Sequence, residues 1–218
     1  MAFWKKLKLA DVSKPLPIEV ARKRAKILVI DDHPESFPCD LLRKEGYSIE
    51  CWRKVESLLP LEQAVYDIII LDIAGVAGDY AKEDGLAVLE HLKKYNPSQI
   101  IVAFSGLTFD LSKTRFWKMA DDSLSKPVDA IKCKEIIDQL LQEKFTIEHY
   151  WNGVTSIFHA EGVSQEEIEK IEHKIAKAIK GGNSKKLMEA IESVAVRGEI
   201  LAKVVIIGQK LITLFGSN

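Results

Sequence analysis

Three apolar runs along the chain each stop at a polar residue of a definite kind. Ile27-Leu28-Val29-Ile30 leads into Asp31 and Asp32. Ile68-Ile69-Ile70-Leu71 leads into Asp72, and Ile100-Ile101-Val102-Ala103-Phe104 into Ser105 and Gly106. None of the runs alternates, so as strands they are buried on both faces, as at the centre of a parallel sheet. Weaker strands are predicted at Tyr47 to Trp52 and at Ser123 to Ser125, the latter ending in Lys126-Pro127. A helix is expected from His33-Pro34 to Lys44, closed by Gly46; Pro38 makes it short, kinked or late. A weak helix follows over 55–64, then one from Leu86 to Tyr95 stopped by Asn96-Pro97. A helical stretch reaches Ala120, and a last helix runs from Ile131 to Lys144. Residues 73–85, small and polar, read as a long loop. Strands and helices alternate five times, which predicts a doubly wound parallel α/β sheet.

Beyond residue 145 the period becomes purely helical. Residues 146–162 read as a helix and a turn. Ser164-Gln165-Glu166-Glu167 fits a capping box, and Ile168, Ile171, Ile175 and Ala178 step by three and four. Gly181-Gly182-Asn183 breaks that helix, and Ser184 is placed to cap the next. There Leu187, Ile191, Val194, Gly198, Leu201, Val205, Gly208, Ile212 and Phe215 alternate steps of four and three, the mark of a helix-on-helix seam. Gly198 and Gly208 would let a neighbour come close or break the helix. Ile200, Val204, Ile206, Ile207 and Leu211 make it apolar nearly all round, so it should be buried on more than one side. Residues 164–215 thus read as a small all-α helical hairpin that needs a partner: a second copy, the α/β domain or another protein.

The expected organisation is a basic N-terminal arm over 1–25, an α/β domain over 26–145 and the helical module over 146–218. Residues 1–26 carry eight Lys/Arg against two Asp/Glu, residues 27–145 carry 14 against 21, and residues 146–218 carry nine of each. This distribution disfavours nucleic acid, since no broad basic face results and no helix-turn-helix is legible. The arm, with Phe3 and Trp4 among lysines, reads as loosely docked in preference to membrane-bound. Membrane-surface contact by the thin basic face of Lys203 and Lys210 is likewise disfavoured. The start shows no signal-peptide pattern, and no apolar run is long enough to span a bilayer. Cys39, Cys51 and Cys133 form no CxxC and are odd in number, so they read as reduced thiols of a cytoplasmic protein. His173, two residues from Ile171, is expected on the solvent side of its helix.

In an open parallel sheet, ligands bind beyond the carboxyl ends of the strands. There this chain delivers Asp31, Asp32, Asp72, Ser105 and Lys126. Three carboxylates at one point repel unless a cation joins them or a proton is kept. Hard oxygen ligands in an open site suit Mg²⁺. With Lys126 and the Ser105 hydroxyl, the set is suited to a phosphoryl group, and an aspartate among them can act as nucleophile.

At this point the sequence resembles the receiver domain of two-component response regulators (the CheY-like family). The motifs are Ile27-Leu28-Val29-Ile30-Asp31-Asp32, Ile70-Leu71-Asp72, Asp84-Gly85-Leu86, Ala103-Phe104-Ser105-Gly106 and Leu124-Ser125-Lys126-Pro127. The resemblance covers residues 26–145. It implies a flavodoxin-like sheet in the order 2-1-3-4-5 and a response-regulator role, with Asp72 accepting phosphate from a histidine kinase or phosphotransfer protein. It implies Mg²⁺ held by Asp32, Asp72 and the Ala74 carbonyl, with Asp31 helping through water. It further implies Lys126 paired with Asp72 and then the phosphoryl group, and Ser105 contacting that group. The protein would be a self-phosphorylating acceptor in a phosphorelay and not an enzyme, with autophosphatase activity left open. The loop after Asp72 is longer than the family's and lacks its Met-Pro, and Ser123 replaces the usual switch aromatic. Apolar Ala74 and Leu107, at positions that tune decay, imply a long-lived phosphoryl state. Output would run through the helical module as homodimer or partner contact. The alternatives are a pseudo-receiver scaffold, or a transcription regulator with an unrecognised DNA-binding module.

Overall fold

The structure is a computed structural model describing residues 6–81, 84–106, 114–193 and 198–215. The chain forms two compact units. One is Leu16–Phe145; the other joins the residues up to Pro15 with those from Thr146 onward.

In the first unit, β1 (Lys26–Ile30), β2 (Ser48–Trp52), β3 (Ile68–Asp72), β4 (Ile100–Ser105) and β5 (Asp122–Ser125) form one sheet. The order is β2-β1-β3-β4-β5 and every pairing is parallel, which is the flavodoxin-like arrangement. The register sets Leu28, Ile69 and Ile101 side by side on one face, with Ile30, Leu71 and Ala103 beyond them. These join Leu61, Val88, Leu89, Leu92 and Phe116 in a single core. All five residues of β3 are buried, as the unbroken apolar run requires. Each fully buried Ile contributes about 1.5–3 kcal/mol. Ordering the backbone costs roughly 1–2 kcal/mol per residue. The strand therefore persists only while both its faces are covered.

The helices of this unit are α1 (Ile18–Arg24), α2 (Cys39–Lys44), α3 (Leu59–Glu62), α4 (Asp84–Tyr95), α5 (Thr114–Met119) and α6 (Ala130–Glu143). Pro38 delays α2: only a 3-10 turn precedes it, at Pro34–Ser36. The weak helix over 55–64 shrinks to α3 and ends near Ala64, whose φ of 50° is left-handed. Asp129 caps α6 by accepting from the Lys132 N–H at 2.8 Å. At the end of the sheet opposite the aspartates, Asp121 accepts from Lys93 and Lys144, each at 2.6 Å, and from the Ile101 N–H.

The stretch read as a basic arm is divided between the units. Its second half is α1, which packs on α6. Arg22 grips Asp138 with two bonds of 2.8 and 2.6 Å, the Tyr47 hydroxyl donates to the same carboxylate, and the guanidinium lies over the Tyr47 ring. The reading of three reduced thiols is also corrected. Cys39 and Cys51 form a disulfide, because α2 lies against β2; Cys133 is free and buried. A count of cysteines does not see that juxtaposition.

The second unit holds α7 (Ile147–Ala160), α8 (Gln165–Lys180), α9 (Ser184–Glu192) and α10 (Gly198–Phe215). The span expected as a two-helix hairpin, 164–215, holds three helices, α8, α9 and α10, and the helix expected over 146–162 is α7. Thr146 caps α7 and Ser164 caps α8. Asn183, not Ser184, caps α9, because its side chain reaches the Lys186 N–H at 2.9 Å. The cap at Ser193 ends α9, and Val194 lies outside the described residues. Among the described side chains and glycines of α10 the buried residues are Val204, Ile207, Gly208, Leu211 and Leu214; the seam position Gly208 is thus buried as expected, while Leu201 and Val205 are half-buried. α10 packs against both α7 and α9, as its all-round apolarity requires. Leu9 is buried in the same unit, and its N–H donates to Glu172 at 3.1 Å. His173, expected in solvent, is half-buried with Nδ1 3.2 Å from the Leu7 carbonyl. The N-terminal segment covers that helix face, a contact that local periodicity does not encode.

Candidate functional site

Every predicted site residue reaches the carboxyl end of the sheet. Asp72 and Ser105 are the last residues of β3 and β4; Asp31 directly follows β1, and Lys126 follows β5. Lys126 Nζ lies 2.5 Å from Asp72 Oδ2 and 2.8 Å from Asp31 Oδ2, bridging the two strands. Asp31, Asp32 and Asp72 offer oxygens that all lie within 4.8 Å of one another. Asp31 and Asp72 are buried, whereas Asp32 opens to solvent. Ser105 is buried, and its carbonyl accepts from the Lys126 N–H at 3.0 Å.

Each carboxylate is held in place. Asp31 accepts from the His33 N–H at 2.9 Å and the Ser36 hydroxyl at 2.6 Å. Asp72 Oδ1 accepts from the Ile73 N–H at 2.6 Å. Burial pushes the Asp72 carboxyl above its ordinary range; Lys126 opposes this and Asp31 adds to it. Burial also pushes Asp31 up, but Lys126, Ser36 and the His33 N–H together draw it below the ordinary range. Burial disfavours the Lys126 charge, yet its two carboxylates hold the ammonium above its usual value. One lysine between two buried carboxylates thus leaves them unequal, with Asp72 the more basic.

The long loop after β3 is not loose. Val76 and Ala77 are fully buried, the Val55 N–H donates to the Val76 carbonyl at 2.7 Å, and Asp84 accepts from the Gly75, Val76 and Ala77 amides. Gly75, at φ 76°, passes so near Asp32 that a Cβ there would stand 2.7 Å from Oδ2. Such a close approach needs glycine. The donor set is all hard oxygen, and the cradle leaves Asp32 open, so the residues fit an oxygen-coordinated cation such as Mg²⁺.

Ser123 is exposed on β5. The aromatic ring beside Lys126 is Phe104, 4.8 Å from Nζ, with Phe37 edge-on behind it. Ala74 is exposed, and Leu107 lies outside the described residues. Sequence reasoning missed Ser36 and gave Asp84 no role. Asp84 bonds amides seven to nine residues earlier, a spacing that no helical or strand period encodes.

No protein-family model matches the chain, and no curated protein matches it. Among solved structures it is similar to receiver domains of response regulators. TrrA of Thermotoga maritima, crystallised with Mg²⁺-BeF, is 28% identical over 53% of this chain and 98% of that one, with a TM-score of 0.45. The NtrX receiver domain of Brucella abortus is 25% identical over 54% and 99%, with a TM-score of 0.46. A CheY-like receiver domain protein of Methanospirillum hungatei is 23% identical over 55% and 95%, with a TM-score of 0.47. Among the described residues, no helix is long and apolar enough to cross a membrane.

Proposed function

We propose that this chain is a phosphoacceptor of the receiver type, taking a phosphoryl group on Asp72 from a phosphohistidine of a kinase or phosphotransfer protein. The observation that carries this is the Lys126 ammonium bridging Asp72 and Asp31 at the sheet's carboxyl end, with Asp32 completing the acidic cluster. Asp31, Asp32, Asp72 and the Ala74 carbonyl would hold Mg²⁺, which when bound neutralises charge on the phosphoryl oxygens.

The protein's own groups do the rest. The Asp72 carboxylate, raised in basicity, supplies the attacking oxygen. The new bond is O–P; the bond that breaks is P–N of phosphohistidine, or P–O of an acyl phosphate, and its electron pair leaves with the imidazole or acetate. Lys126 can follow the transferred charge, because it already contacts Asp72. Ser105, buried at the end of β4, offers a hydroxyl to a phosphoryl oxygen. Output runs through the helical unit to a second copy or another protein. Its nine basic and nine acidic residues from 146 onward favour protein over nucleic acid.

The test is the intact mass after incubation with acetyl phosphate and Mg²⁺. A phosphoryl adduct that requires both Mg²⁺ and Asp72, and is absent in Asp72→Asn, is expected. An adduct that persists in Asp72→Asn would refute the assignment. The native mass of the labelled and unlabelled protein then reports whether the helical unit changes partner.

A further inference from the structure

We propose that Asp84 is a positioning residue of this site, aiming the Ala74 carbonyl at the cation through one rigid peptide plane. This rests on the reading that Mg²⁺ is held by the Asp31-Asp32-Asp72 cluster together with the Ala74 carbonyl.

The Asp84 carboxylate takes three amide donors. Gly75 donates to Oδ2; Val76 and Ala77 donate to Oδ1 at 2.9 and 2.7 Å. The peptide between Ala74 and Gly75 carries both the carbonyl expected to ligate and the N–H that Asp84 binds. A peptide is planar. The only cis bond among the described residues is Lys126-Pro127, so this one is trans. In a trans plane the C=O and N–H point in opposite directions. Anchoring the Gly75 N–H therefore fixes the line along which the Ala74 oxygen points.

A helix-capping role does not account for this arrangement. A capping side chain bonds amides in its own first turn. Asp84 begins α4, yet both its oxygens accept from the loop before the helix. Asp84 also holds a φ of 52°, a left-handed conformation that side chains other than Asn and Asp rarely adopt. Its neighbour completes the clamp. Gly85 donates its N–H to the Ile73 carbonyl at 3.1 Å and lies against the Asp72 backbone. Asp84 and Gly85 thus pin the segment on both sides of Ala74, and Gly75 carries that constraint to the Asp32 carboxylate.

The experiment is calorimetric titration of the full chain with Mg²⁺ alone, alongside thermal unfolding in chelator. Asp84→Gly removes the carboxylate while tolerating the backbone angle, and Asp84→Asn keeps one acceptor oxygen. Gly46→Ala is the control, because its φ of 92° in open space costs stability at the far end of the sheet. Groups that orient metal ligands are worth about 10–100-fold in affinity. Asp84→Gly is expected to weaken Mg²⁺ binding about tenfold and Asp84→Asn by less. Gly46→Ala should lower the unfolding temperature without changing Mg²⁺ affinity. Wild-type affinity in both Asp84 variants, or an equal loss in Gly46→Ala, overturns the proposal. If the wild type takes no Mg²⁺, the cation reading and the proposal fall together. If it binds Mg²⁺ but Asp72 takes no phosphoryl group, only the acceptor reading falls, and the Asp84 comparison still decides this one. Should Asp84→Gly fail to fold, Asp84→Asn carries the test.

Discussion

Gly85 lies directly against the carbonyl of Asp72: a Cβ at this position would stand 2.1 Å from that oxygen and 2.9 Å from the Ile73 Cα. Both obstacles are backbone, and moving them moves Asp72, the proposed acceptor. Overpacking costs typically 1–3 kcal/mol when side chains can yield, and here none can. Gly85→Ala is therefore expected to lose about 3 kcal/mol or more in denaturant unfolding. Labelling of Asp72 by acetyl phosphate should fall at least tenfold even in the folded fraction.

Lys126→Ala separates charge balance from ligation. Without the ammonium, Asp31 and Asp72 face each other buried and uncompensated. In chelator the variant should lose about 3 kcal/mol, the scale of a broken buried ion pair. A cation binding the folded state restores stability by mass action. Mg²⁺ is thus expected to raise the unfolding temperature of Lys126→Ala more than that of the wild type. An equal rise in both would show that the carboxylates do not share a cation.

The Arg22–Asp138 pair makes a pH prediction. Burial pushes the Asp138 carboxyl up, but Arg22 and the Tyr47 hydroxyl outweigh it and hold it below the ordinary range. A depressed carboxyl stabilises the fold at pH above its unfolded value, about 4, and that contribution is lost as pH falls through the folded value. Arg22→Ala should cost about 1–3 kcal/mol at neutral pH, as for a lost charge-assisted bond. The gap between variant and wild type should narrow below about pH 4. A gap that stays constant down to acid would assign the loss to packing of α1 alone.

Gly208 and Ile191 test the packing of α10. A Cβ at Gly208 would lie 2.4 Å from the Ile191 Cδ1, a terminal methyl that can turn away. Replacing a helical glycine by alanine gains about 1 kcal/mol, which offsets that adjustment. Gly208→Ala is expected to stay within about 1 kcal/mol of the wild type. Gly208→Leu should lose roughly 1–3 kcal/mol, because position 208 is buried and a larger side chain overpacks its contact with Ile191. Unfolding followed by urea titration decides both.

The centre of the sheet was legible because β1, β3 and β4 carry unbroken apolar runs, and a run such as Ile68 to Leu71 fits only a doubly covered strand; the edge strands β2 and β5 gave weaker signals. Asp31, Asp72 and Ser105 were legible as strand-end candidates for the same reason, since each run stops at one of them, whereas Lys126 follows the weak strand β5. The helical unit was harder. Periodicity marked Leu187 and Ile191 as buried, and both are. Past Ser193 the same period placed Gly208 correctly but set Leu201 and Val205, which are half-buried, on the seam ahead of Val204 and Ile207, which are fully buried, because a helix apolar nearly all round does not show which face is covered most. Contacts distant in sequence were invisible altogether. Leu7 with His173 and Arg22 with Asp138 are each separated by more than a hundred residues. The role of Asp84 was hidden differently: it lies in backbone amides, which every residue type presents alike.

The division of the chain has a practical consequence. The segment up to Pro15 belongs with the helices after Thr146, so the α/β unit interrupts a split module. A fragment starting at β1 would be cut free of α1 and leave Asp138 without Arg22. A fragment starting at Thr146 would lack Leu9, leaving the partners of its buried side chain open to water. Trimming either half at the boundaries of the sequence pattern would therefore damage both, and the sound excision is of residues 16–145 as an internal cassette.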